Sequence, residues 1–90
     1  MSNYRQIAQI YMAENQRKEV RRLKREGKWA SFLDDLANGA LDTENEIMES
    51  MAKAQPLPEN FLERTQELNR RRMTAQEVAR SQMMEFLRSL

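Results

Sequence analysis

Ninety residues with fifteen Lys or Arg, fourteen Asp or Glu and a net charge of +1 make at most one small domain, which buries only roughly 60% of the surface its unfolded chain exposes. The absence of Cys excludes a disulfide framework and thiolate chemistry, and the absence of His removes the usual base near neutral pH. No apolar run approaches the ~20 residues of a membrane span, and "MSNYRQIAQIYM" lacks the unbroken apolar centre of a secretory signal, so the expectation is a cytoplasmic chain with no membrane segment.

Apolar residues recur at three and four rather than at two, and strand-type alternation is absent, which predicts an all-α fold. The first predicted helix spans about 3–26, with Gly27 as its stop and Lys24, Arg25 and Lys28 near the negative end of its dipole. The second spans 29–41, where Trp29, Phe32, Leu33, Leu36, Ala37 and Ala40 form one apolar stripe. Thr43 and Glu46 stand in capping-box spacing and open a third helix over 44–55, with Ile47, Met48, Met51 and Ala52 inward. Pro58 suits the first turn of a fourth helix over 58–72, carrying Phe61, Leu62 and Leu68. A second capping box, Thr74 to Glu77, with Met73 and Val78 spaced as a hydrophobic staple, starts a fifth helix over 75–89 that turns Ala75, Ala79, Met83, Phe86, Leu87 and Leu90 to one side. The expected architecture is therefore a compact bundle of about five short-to-medium helices with a long basic N-terminal helix.

That first helix does not fit one core if it is straight. At 100° per residue Tyr4, Ile7 and Tyr11 share a side, whereas Val20 and Leu23 lie nearly opposite. Its ~24 residues would reach about 36 Å. Either it bends between Glu14 and Glu19, its two halves serve different bodies, or "AENQRKE" hides an interruption that makes two short helices of one core. The favoured expectation is an apolar seam at Val20 and Leu23 turned toward a partner, flanked by Arg17, Lys18, Arg21, Arg22, Lys24, Arg25 and Lys28.

Charge is distributed in blocks. Met1 to Lys28 carries +5, Trp29 to Glu63 carries −7 and Arg64 to Leu90 carries +3. Like charges at i,i+4, such as Arg17 with Arg21 and Arg21 with Arg25, cost an isolated helix roughly 0.2 to 0.5 kcal/mol each, so the basic stripe would gain from an anionic neighbour. Arg70, Arg71 and Arg72 point in three directions and fit as dipole partners at a helix end. Asp34, Asp35, Glu44, Glu46 and Glu49 form the expected acidic partner surface. Complementary blocks allow self-association, as a homodimer, or docking on a larger assembly.

The inventory speaks against an enzyme, since no Ser has an imidazole partner and no phosphate-loop or dinucleotide motif occurs. "DTENEIMES" lacks the central Gly of a calcium loop and has Lys53 where the bidentate Glu belongs, so no metal site, cofactor or small-molecule substrate is expected. Thr74 to Ala79 resembles the start of the second helix in a helix-turn-helix domain, but Arg80 to Met84 continue the helix where that pattern needs a Gly and a turn. In size and make-up the chain is similar to the small helical regulators, inhibitors and assembly factors that phages and plasmids encode. The expectation is a non-enzymatic protein that binds another protein through the basic helix and the acidic segment. DNA or RNA binding through 17–28 is the alternative.

Overall fold

A computed structural model describes residues 3–90, and all regular structure in them is helical. Four helices form among the described residues: α1 (Tyr4–Asn15), α2 (Arg17–Arg25), α3 (Trp29–Ala54) and α4 (Phe61–Arg88). Helices α3 and α4 make an antiparallel hairpin, and α1 packs against both of them. Helix α2 packs against α1 and α3 without reaching α4. The molecule is a rod of 53 × 19 × 19 Å with a radius of gyration of 16.2 Å, against the ~12 Å of a compact 90-residue domain, so the expectation of a compact bundle is corrected.

The long N-terminal helix is also corrected, because it breaks at Gln16. That residue leaves the helical region (φ −138°, ψ 54°), while its N–H still donates to the Met12 carbonyl and its carbonyl accepts from Val20. Its side-chain amide donates to the Leu87 carbonyl at the end of α4, which anchors the break to the hairpin. The consequence is rotational. With the chain re-aimed at Gln16, Val20 and Leu23 enter the same core as Tyr4, Ala8 and Met12, and Ile7 and Tyr11 pack against it. Burying Val20 and Leu23 is worth roughly 1.5 to 3 kcal/mol each, more than the ~0.5 to 1.5 kcal/mol net value of a helical hydrogen bond given up at the break.

The remaining miscounts have one cause. Segments 29–41 and 44–54 belong to one helix, and segments 61–72 and 75–88 to another. Thr43 and Thr74 cap nothing; each hydroxyl donates to the carbonyl four residues back, on Gly39 and Arg70, at 3.1 Å. A cap requires the helix to end, and ending it would expose backbone groups along a continuous α3–α4 contact. Met73 is 70% exposed and staples nothing. Helix α4 begins later than Pro58 suggested: Asn60 is its N-cap, its side chain accepting from the Glu63 N–H at 3.1 Å.

Two ends follow the sequence closely. Gly27, at φ +70°, closes α2 in a Schellman turn, with Lys28 N–H donating to the Leu23 carbonyl and Gly27 N–H to the Lys24 carbonyl. Gln55 is extended ahead of Pro56 and ends α3.

Candidate functional site

The predicted site residues divide among several environments. Val20 and Leu23 are buried in the protein's own core, so they offer no seam to a partner. Their burial fixes the basic face of α2 outward, since the helix can present only its other side. Arg17, Lys18, Arg21, Lys24 and Arg25 are all exposed, and none has a carboxylate within ion-pair distance among the described residues. Lys18, Arg21 and Arg25 line a shallow depression. Arg22 differs: Glu19 at 2.7 Å and Glu26 at 3.2 Å hold its guanidinium further above its ordinary pKa, Glu19 contributing most. Lys28 sits 3.7 Å from Glu26.

The expected acidic surface is not one surface. Asp34 is engaged by Arg5 of α1 at 2.8 Å, and Glu49 lies 3.7 Å from Lys53. Asp35 and Glu46 are exposed. Glu44 is 1% exposed and is withdrawn from any external contact. It accepts from the Tyr4 hydroxyl at 2.7 Å and from Arg72 at 2.8 Å, which joins α1, α3 and α4 at one level of the rod. Its place was legible, because Glu44 stands four residues after Ala40 and eleven after Leu33, on the buried stripe.

Of the "RRR" of α4 only Arg71 is buried, while Arg70 and Arg72 are exposed. Because the helix runs on to Arg88, these residues are not dipole partners at its end. Arg71 is 3% exposed, donates to the Gln55 carbonyl at the end of α3 and shares Glu67 with Arg70, at 2.8 and 2.9 Å respectively. Hydrogen bonds from Arg70 first and Arg71 second pull the Glu67 carboxyl down to about 2. Arg71 continues the every-fourth-residue row of Ala75, Ala79, Met83 and Leu87, the signal that could have placed it inside.

Two apolar surfaces remain, and of these the sequence marks only Met48 and Met51, which lie together beside the acidic segment as a patch that could meet a partner. The first is the distal half of the hairpin, beyond the start of α1. No residue from Asn45 to Arg70 is buried. Ile47 and Met51 continue the stripe of Leu33 and Ala40 on α3, with Met48 beside them, and all three are only half-buried. On α4, Phe61 and Leu68 fall in the sector that carries Ala75, Ala79 and Met83 inward further along, yet Phe61 is 82% exposed and neighbouring Leu62 is 64% exposed. Among the described residues the core stripe of both helices thus runs on without becoming buried.

The second is a groove of about 390 Å³ lined only by α3 and α4: Phe32, Asp35, Leu36, Gly39, Ala40 and Thr43 face Ala79, Gln82, Met83 and Phe86. Gly39 lies mid-helix, where glycine is roughly 0.5 to 1 kcal/mol less stable than Ala. A Cβ added there would meet nothing within 4 Å. The fold has no steric need for this glycine.

Among the described residues no group of three potential metal-ligating side chains is assembled, and no helix is long and apolar enough to cross a membrane. No family model, curated protein or solved structure matches the chain.

Proposed function

We propose that this protein is a non-enzymatic binding module, of the regulator, inhibitor or assembly-factor kind, that recognises another protein through the distal half of the α3–α4 hairpin. The observation that carries this reading is the uncovered core stripe: Phe61, Leu62 and Leu68 exposed beside half-buried Met48 and Met51. Exposed apolar side chains along the core-facing sector of a helical rod favour a contact site, and Met side chains suit an adaptable one. Glu46, Glu49, Glu59, Glu63 and Glu67 belong to the same half, against Lys53, Arg64 and Arg70. The excess of carboxylates favours a partner with basic residues around its own apolar patch and disfavours pairing of this half with its own copy.

The test is comparative capture from the native host with the wild-type chain and a Phe61→Asp, Leu62→Asp variant whose helicity is checked by circular dichroism. Both residues are exposed, so the fold should survive. A partner held by wild type and lost by the variant supports the reading; an identical set of captured proteins rejects it.

A second reading has its own observation, the five cations of α2 that have no carboxylate within ion-pair distance among the described residues. They would suit the phosphates of DNA or RNA, each contact adding roughly 0.7 to 0.9 to the slope of log affinity against log salt. Labelled duplex and single-stranded DNA titrated at two salt concentrations decide it. Binding whose salt slope flattens in an Arg21→Glu, Arg25→Glu variant supports nucleic-acid recognition, and no binding at low salt removes it.

A further inference from the structure

We propose that the groove over Gly39 is a second docking site, and that its occupant is an amphipathic helix of a partner protein with Lys or Arg flanking its apolar face. Its lining shares no residue with the apolar patch of the distal half, although Glu46 borders both, and the proposal does not depend on that patch. Three observations converge on the groove.

Its shape suits a helix. Phe32 to Thr43 spans twelve residues, whose rise is about 16 Å along α3, or three helical turns, which matches anchors at i, i+3 or i+4, and i+7 of a docked helix. A volume of about 390 Å³ lies in the ~300 to 1,000 Å³ range of binding clefts. Phe86, 47% exposed, and half-buried Phe32 and Leu36 supply the apolar walls.

Its floor carries a glycine that the fold does not require. Gly39 weakens its own helix, and open space lies where its side chain would stand. Removing a side chain at the centre of an apolar groove lets an external backbone or side chain approach closely, which is the use that remains for it.

Its rim is predominantly acidic. Asp35 is the charged lining residue. The helical neighbours of the lining on the next turns are Asp42 and Glu46 on α3 and Glu85 on α4, all exposed. Lys28, one turn before Phe32, is already drawn toward Glu26. Cationic flanks on the incoming helix complete this pattern. A second copy docking groove to groove would set Asp35, Asp42, Glu46 and Glu85 of both chains on facing rims, which like-charge repulsion opposes.

The probe is a fluorescein-labelled synthetic helix with Leu at i, i+3, i+4 and i+7 and Lys at the flanking positions, titrated into the full chain and followed by anisotropy. Its counterpart carries Glu in place of Lys. Binding of the Lys peptide at least tenfold tighter than the Glu peptide is expected, with inversion of that preference in an Asp35→Lys, Glu46→Lys variant. Gly39→Trp should lose at least tenfold in affinity, Gly39→Ala should raise Tm, and Phe61→Asp should leave binding unchanged. Equal affinity for both peptides overturns the proposal, as does undiminished binding by a folded Gly39→Trp chain. Loss of binding in Phe61→Asp would move the contact to the distal patch. A doubled mass in light scattering that Gly39→Trp abolishes would assign the groove to a second copy instead. A Tm lowered by Gly39→Ala would return the glycine to the fold, removing one of the three supports.

Discussion

Between Trp29 and Ala40, α3 sends Leu33 and Ala40 into a core closed by α1, α2 and α4, whereas from Asn45 to Ala54 the same helix carries Ile47, Met48 and Met51 on or beside the same stripe and buries none of them. The residues are no less apolar; the neighbours differ. Two packed helices have a line of contact but no interior, and a third element is needed before a side chain is enclosed on all sides. Helix α1 supplies that element only as far as the level of Glu44, where Tyr4 and Arg72 meet the carboxylate. The third element that stabilises the proximal half of the rod is therefore what the distal half lacks among the described residues.

Truncations should separate the halves most widely. Leu87→Ala, at a fully buried position, is expected to cost about 3 kcal/mol in urea unfolding, while half-buried Met51→Ala should cost less than about 1 kcal/mol. Similar losses would show that the distal half is as well packed as the proximal one. At the boundary, Tyr4→Phe removes a hydrogen bond to a buried carboxylate and should cost ~1.5 to 3 kcal/mol. No change in stability would mean that this contact does not tie α1 to the hairpin. Native-state amide exchange sharpens the same contrast: protection of Ala79 to Leu87 should approach that of global unfolding, with Phe61 to Leu68 exchanging faster through local opening.

The smallest effect concerns acid. The carboxyl of Glu67 is held at about 2 by Arg70 and Arg71, below its unfolded value near 4.5, so its stabilising contribution is complete above that upper value and is lost as pH falls toward 2. Replacing it, as Glu67→Gln, should flatten the pH dependence of thermal stability across that window. An unchanged profile would show that the two guanidinium groups, on a partly solvated carboxylate, contribute nothing net.

Helical class, the Gly27 turn and the apolar stripe from Trp29 to Ala40 were legible because each depends on residues a few positions apart, through 100° spacing and the left-handed conformation that glycine alone adopts cheaply. The seven cations from Arg17 to Lys28 were equally plain, as was the conflict within the first helix. Local signals overcounted wherever a capping box stood inside a helix, since Thr43 and Thr74 are as content with the carbonyl four residues back. Whether the conflict at Gln16 would be resolved by a second chain or by a break could not be decided from spacing, because the answer depends on how much surface the break lets Val20 and Leu23 bury. The opposite fates of Glu44 and Glu46, one enclosed and one exposed, also belong to tertiary structure. Burial of a charge is set by which helices arrive around it, and those arrive from residues far away in the chain.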